Sequence, residues 1–210
     1  MSDFTVSIDA WTNGAAIPAR FAFGTLDDSE SFALSDNHSP AIRWANAPAG
    51  TQSFAIITHD PDVPSVADDV NQEGRVVPAD LPRVDFYHWL VANIPSDQRA
   101  LSEGAASQGV TAKGKPVGDV GYGTVGANTY THWFAGDADM GGTYGGYDGP
   151  CPPWNDARVH RYHFTVYALS VPTLELAEGF DGPALLAAMK GHVLASARHS
   201  GTYTLNSALR

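Results

Sequence analysis

An all-β fold is what this sequence predicts: a β-sandwich with one short C-terminal helix and long loops. Three observations predict it. Apolar runs of strand length recur along the chain, each closed by proline, glycine or aspartate. The punctuation is dense, with 21 glycines and 14 prolines among 210 residues. Only one stretch, late in the chain, has the make-up of a helix.

The elements follow in order. Residues 53–59, Ser-Phe-Ala-Ile-Ile-Thr-His, form an apolar run that Asp60-Pro61-Asp62 should end. Residues 87–94, Tyr-His-Trp-Leu-Val-Ala-Asn-Ile, form another, ended by Pro95. From His160 the alternation is clearest, with His160, Tyr162, Phe164 and Val166 on one face and Arg161, His163, Thr165 and Tyr167 on the other. Both faces carry bulk, which predicts a central strand covered on each side.

The helix is predicted from its ends. Asp181 can cap it, Pro183 suits its first turn, residues 184–190 are good formers and Gly191 can stop it. Residues 192–197 read as a restart of the helix, and 201–205 as a closing strand. Two stretches, 63–85 and 113–147, fit neither period; their length and aromatic content predict packed lids. No repeat is present, and one domain over 1–210 is the simplest organisation.

Composition restricts the function classes. No apolar run approaches the roughly 20 residues needed to span a bilayer, and the start lacks the basic and apolar regions of a secretory signal. One cysteine, Cys151, gives no internal disulfide and suits a reducing compartment, so a cytoplasmic location is expected. The net charge of -11 argues against nucleic acid and against adsorption to anionic membranes. An anion bound by this chain must therefore meet directed donors in a pocket.

Three segments place polar groups at the ends of apolar strands. Asp60 follows a buried run and precedes a restricted turn; it reads as a rim carboxylate or as a solvated turn acid. His88 lies inside an apolar strand, on the face opposite Tyr87 and Trp89, and reads as a ligand contact or as a hydrogen-bonded core residue. Gly146-Tyr147-Asp148-Gly149-Pro150-Cys151-Pro152-Pro153, followed by His160-Arg161-Tyr162, reads as a rigid wall that exposes carbonyls or as a plain surface turn.

Together these segments resemble the phosphatidylethanolamine-binding family. The match runs through Ser39-Pro40-Ala41-Ile42-Arg43-Trp44, Pro48-Ala49-Gly50-Thr51, Asp60-Pro61-Asp62-Val63-Pro64, His88-Trp89 and Asn93-Ile94-Pro95. It continues through Gly149-Pro150-Cys151-Pro152-Pro153, His160-Arg161-Tyr162, Gly191-His192-Val193-Leu194 and Gly201-Thr202-Tyr203, so that it covers residues 21–205. The chain is most similar to the bacterial and archaeal Raf-kinase-inhibitor-like branch.

The resemblance implies a two-sheet antiparallel β-sandwich with a small pocket near one end. That pocket would bind a small phosphate-like anion or a phosphoethanolamine-type ligand. Its lining would be Asp60, His88, Gly149, Cys151, Pro152 and His160, with Phe86 and Tyr162 nearby and Pro64 at the rim. Asp60 is expected to orient the imidazoles, and His88 and His160 to donate to the anion. Cys151 stands where many members carry glycine, and reads as a small apolar filler or as a redox-sensitive thiol.

The resemblance implies a binding or regulatory protein rather than an enzyme, with no cofactor, no metal and no integral membrane contact. A homodimer and a protein partner both fall within what it allows.

Three other chemistries compete. Inhibition of a protease or kinase could use the 113–147 loop as its surface. A two-histidine, one-carboxylate metal enzyme could use Asp60, His88 and His160. A thiol hydrolase could pair Cys151 with His160. Asp137-Ala138-Asp139 has a faint calcium-loop look but lacks further acidic ligands.

Overall fold

The computed structural model describes residues 3–29 and 32–210. In chain order its elements are β1 (Thr5–Ser7), β2 (Gly24–Leu26), β3 (Phe32–Leu34), β4 (Ile42–Ala45), β5 (Ser53–Pro64) and β6 (Arg83–Pro95). Then come β7 (Ala100–Leu101), β8 (Gly118–Asp119), β9 (Thr124–Val125), the single-turn helix α1 (Tyr130–Trp133), β10 (His160–Leu169), helix α2 (Gly182–Met189) and β11 (Val193–Tyr203).

A six-stranded sheet runs in the order β11-β10-β5-β6-β9-β8, a three-stranded sheet in the order β1-β4-β7, and β2 pairs with β3. Every pairing between these strands is antiparallel. The main core lies between the first two sheets. Phe54 and Ile56 of β5, Trp89 and Val91 of β6, and Phe164 and Val166 of β10 meet Ile42, Trp44 and Leu101 there. Burial of these inward rows is what holds the two layers together.

The outer face of the large sheet is covered as well. Ala55, Ile57, Leu90 and Ala92 pack under Leu185 and Met189 of α2 and under Leu174 and Phe180. The alternation read from β10 holds: Tyr162, Phe164 and Val166 enter the main core, while Tyr167 packs on the outer cluster. This β-sandwich is the predicted fold class.

Helix α2 starts where its cap predicts, with the Asp181 carboxylate accepting from the Ala184 N–H at 2.9 Å. Gly191, in the left-handed region at φ 84°, turns the chain away. The expected helical restart over 192–197 is not formed. Residues 193–197 belong instead to β11, which pairs with β10 from Leu169↔Val193 to His160↔Tyr203. The unpaired edge of β10 offers a full ladder of backbone partners, and that tertiary gain outweighs local helix propensity.

Candidate functional site

The side chains of the site are aimed by breaks in the pairing of β5 with β6. Thr58 pairs with Trp89 and His59 with Tyr87, so His88 is an extra, bulged residue on β6. Strict alternation would set His88 opposite both neighbours. Instead Trp89 enters the main core, Tyr87 packs on the outer cluster, and the His88 ring lies 5.3 Å from Tyr162 and 5.7 Å from Tyr130. His88 and Trp89 thus share the inner side, which corrects the face assigned by period alone.

A second break falls at the Asp-Pro-Asp segment. Asp60 pairs with Phe86 and Val63 with Val84, leaving one extra residue on β5. The turn expected there is not formed, and β5 continues to Pro64. Pairing with β10 stops at His59, so Pro61 removes no ladder hydrogen bond on that side. Asp62 faces Arg161 through two bonds of 2.8 Å and Arg158 at 3.1 Å, while its own N–H donates to Asp60 at 2.7 Å.

These elements surround a cavity of about 570 Å³. Of the residues anticipated from sequence, Asp60, Pro64, Phe86, His88, Cys151, Pro152, His160 and Tyr162 all line it. Gly149 does not. It stands behind the wall, where its N–H donates to Asn37 at 2.8 Å and its carbonyl accepts from the Tyr130 hydroxyl at 2.8 Å.

Nor does the wall expose carbonyls in the manner expected of a proline-rich run. Besides the Gly149 carbonyl, that of Pro150 is taken by the N–H groups of Phe23 and Gly24. Both long loops form the sides: Ala67, Val70 and Asn71 from one, Tyr130, Trp133, Phe134 and Met140 from the other.

The buried end of the cavity holds an ion network. His160 is fully enclosed between two carboxylates, with Nδ1 2.7 Å from Asp60 and Nε2 3.0 Å from Asp156. Burial alone would lower its pKa, but the bonds and charges of Asp156 and Asp60 prevail and raise it to about 9. It is an imidazolium at neutral pH. Asp156 also binds Arg83 through two bonds, at 2.5 and 3.0 Å. Both ring nitrogens of His160 are therefore committed within the protein, and the donor role expected of it is not available.

His88 is the opposite case. Burial comes first among the causes that lower its pKa to about 4, so it is neutral. Its Nδ1 lies 2.7 Å from the Asp148 carbonyl, which can only accept, so Nδ1 carries the proton. That leaves Nε2 as a buried acceptor without a partner. The Tyr162 hydroxyl is likewise buried and makes no hydrogen bond of normal geometry, although the Asp60 carboxylate lies close enough to act on it. Burial first, and then the charge of Asp60, hold the Tyr162 phenol well above its ordinary range, so it stays a donor.

Asp148 sets the tautomer of His88, and a polar knot sets Asp148. Its carboxylate accepts from Asn37 at 2.9 Å, Asn128 at 2.8 Å and Lys115 at 2.6 Å. Even so, burial raises its pKa. Sequence reasoning passed over Asp148, though it sits inside the quoted glycine-proline segment. It also passed over Asp156 and Arg83, whose meeting with His160 depends on the fold. The aromatic Tyr130-Thr131-His132-Trp133-Phe134 run was visible, but its place on the cavity wall was not.

Two of the competing chemistries lose their geometry here. Cys151 is pushed up to about 12 by burial, so its thiol stays protonated, and His160 has no free nitrogen to act as its base. Among the described residues no group of three or more His, Cys, Asp or Glu side chains is placed to hold a metal ion. Among them, too, no helix is long and apolar enough to cross a membrane.

Comparison with known proteins agrees with this architecture. The family model described as phosphatidylethanolamine-binding protein matches residues 7–204. The UPF0098 protein YbhB of Escherichia coli is 32% identical over 185 residues, covering 88% of this chain and 90% of that one. A UPF0098 protein of Methanothermobacter thermautotrophicus is 31% identical over 194 residues, covering 92% and 94%. Among solved structures, a putative phosphatidylethanolamine-binding protein homolog from Chlamydia trachomatis superposes with a TM-score of 0.62 at 28% identity, covering 95% and 96%. Escherichia coli YbcL superposes with a TM-score of 0.67 at 22% identity, covering 97% and 99%, and so shares the fold. By sequence over nearly its whole length and by architecture, this chain belongs to the phosphatidylethanolamine-binding protein family.

Proposed function

We propose that the chain is a binding protein, not an enzyme, and that the buried end of its cavity takes a small phosphate-like anion or a phosphoethanolamine-type head group. The observation that carries this reading is the pair of buried polar atoms in the lining without a hydrogen bond of normal geometry, His88 Nε2 and Tyr162 Oη. Unmet groups of this kind are costly unless a ligand meets them.

A phosphate bearing one proton fits both. Its P–OH donates to neutral His88, and an unprotonated oxygen accepts from the Tyr162 hydroxyl. Asp60 does not oppose it strongly, because the adjacent His160 imidazolium balances its charge. The ammonium end of an ethanolamine group would meet the rings of Phe86 and Tyr130, whose centroids are 5.0 Å apart.

Calorimetric titration with inorganic phosphate and with phosphoethanolamine tests the reading. Binding above the ligand's second pKa should take up a proton, so affinity should fall as pH rises through that value, about 6 for a phosphate monoester such as phosphoethanolamine and higher for inorganic phosphate. Tyr162→Phe should weaken binding about tenfold or more, and His88→Ala should abolish it. Unchanged affinity in His88→Ala would overturn the assignment.

A further inference from the structure

We infer that the cavity is built for a phosphate monoester with a single aromatic body, the phosphate at the buried end and the ring in an apolar outer chamber. The inference rests on the head-group reading above and adds what the rest of the ligand must be. Among the lining residues only Asp60 and His160 carry charge at neutral pH, and both are nearly fully buried. The opening is marked by Phe32, Leu34 and Trp133, which are 51%, 56% and 50% exposed. Apart from exposed Asn71 on one side, the charged groups and the apolar surface are thus separated along the depth of one cavity.

Volume and ring geometry point the same way. At about 30 Å³ for each water-sized atom, the five heavy atoms of phosphate take on the order of 150 Å³. The cavity has about 570 Å³. The surplus is walled by an aromatic series: Tyr130 stacks on Phe23 at 4.7 Å and on Phe134 at 5.7 Å, and Phe86 meets Tyr130 edge-on. A flat ring can join such a series by offset or edge contacts. A sugar would find few partners for its hydroxyls there, and each unmet hydroxyl would oppose binding.

Calorimetry with five probes separates the outcomes: inorganic phosphate, ribose 5-phosphate, 1-naphthyl phosphate, 1-naphthol, and vesicles of phosphatidylethanolamine with phosphatidylglycerol. The inference expects 1-naphthyl phosphate to bind about ten- to hundredfold tighter than inorganic phosphate, with ribose 5-phosphate showing no such gain. Leu34→Ser and Trp133→Ala should each bring the ratio of the naphthyl phosphate and phosphate affinities towards one.

Equal affinities for naphthyl phosphate and phosphate in the unaltered protein would overturn the inference and leave the head-group reading standing. Naphthol binding as tightly as its phosphate would overturn both, because the phosphate would then contribute nothing. Vesicle binding lost in Leu34→Ser and Trp133→Ala would replace the aromatic ester with a membrane surface as the occupant.

Discussion

Two histidines that line the same cavity are held in opposite protonation states, and the difference has consequences in pH. His160 is raised from 6.5 to about 9, so its contribution to stability is fully present below pH 6.5 and is lost as pH rises through 9. A shift of this size corresponds to about 2 to 3 kcal/mol near neutrality. His88 is lowered from 6.5 to about 4, so its contribution is present above pH 6.5 and is lost as pH falls towards 4. Urea unfolding between pH 7 and 10 should therefore show stability falling with pH, with a flatter slope in His160→Gln. An unchanged slope in that variant would place the pH dependence elsewhere. The residue types were legible in the sequence, but their charge states were not. An imidazole's pKa is set by what burial removes and which carboxylates approach, and Asp156 reaches His160 only through the packed fold.

Among the elements, the wall behind the cavity is the tightest. A Cβ placed on Gly149 would stand 2.0 Å from the Phe21 carbonyl oxygen and 3.0 Å from Ala22 Cα, both backbone atoms. Gly149→Ala should destabilise the protein by about 1 to 3 kcal/mol or more. Gly109→Ala, where a Cβ meets nothing within 4 Å, should leave the melting temperature nearly unchanged. Equal melting temperatures for the two variants would show that the wall yields. The cores of β5, β6 and β10, the end of β11 and the one long helix were readable from period and caps, because those signals are local. The β5–β6 bulges were not. Period-two reasoning assumes an unbroken ladder, whereas the extra residue at His88 is defined only by the strand beside it. The same holds for residues 193–197, where a waiting strand edge decided against helix.

For the whole molecule, the two apolar clusters lie on opposite faces of one six-stranded sheet, so neither can be lost without exposing the other's strands. One domain over 1–210 is proposed on that ground. Calorimetry should give a single transition whose van't Hoff and calorimetric enthalpies agree; two resolved transitions would refute it. The sequence by itself determined the strand-rich sandwich, the capped helix, the acidic balance and which residue types gather near the cavity. The first three depend on short-range periodicity, capping chemistry and composition; the last was implied by the resemblance of the ordered motifs to the family. Only the tertiary structure decided that His88 faces inward with an acceptor nitrogen, that His160 is spent between two carboxylates, and that the cavity opens through Phe32, Leu34 and Trp133. Those properties belong to distant segments brought into contact, where burial and neighbouring charge settle each group's direction, protonation and freedom to bind.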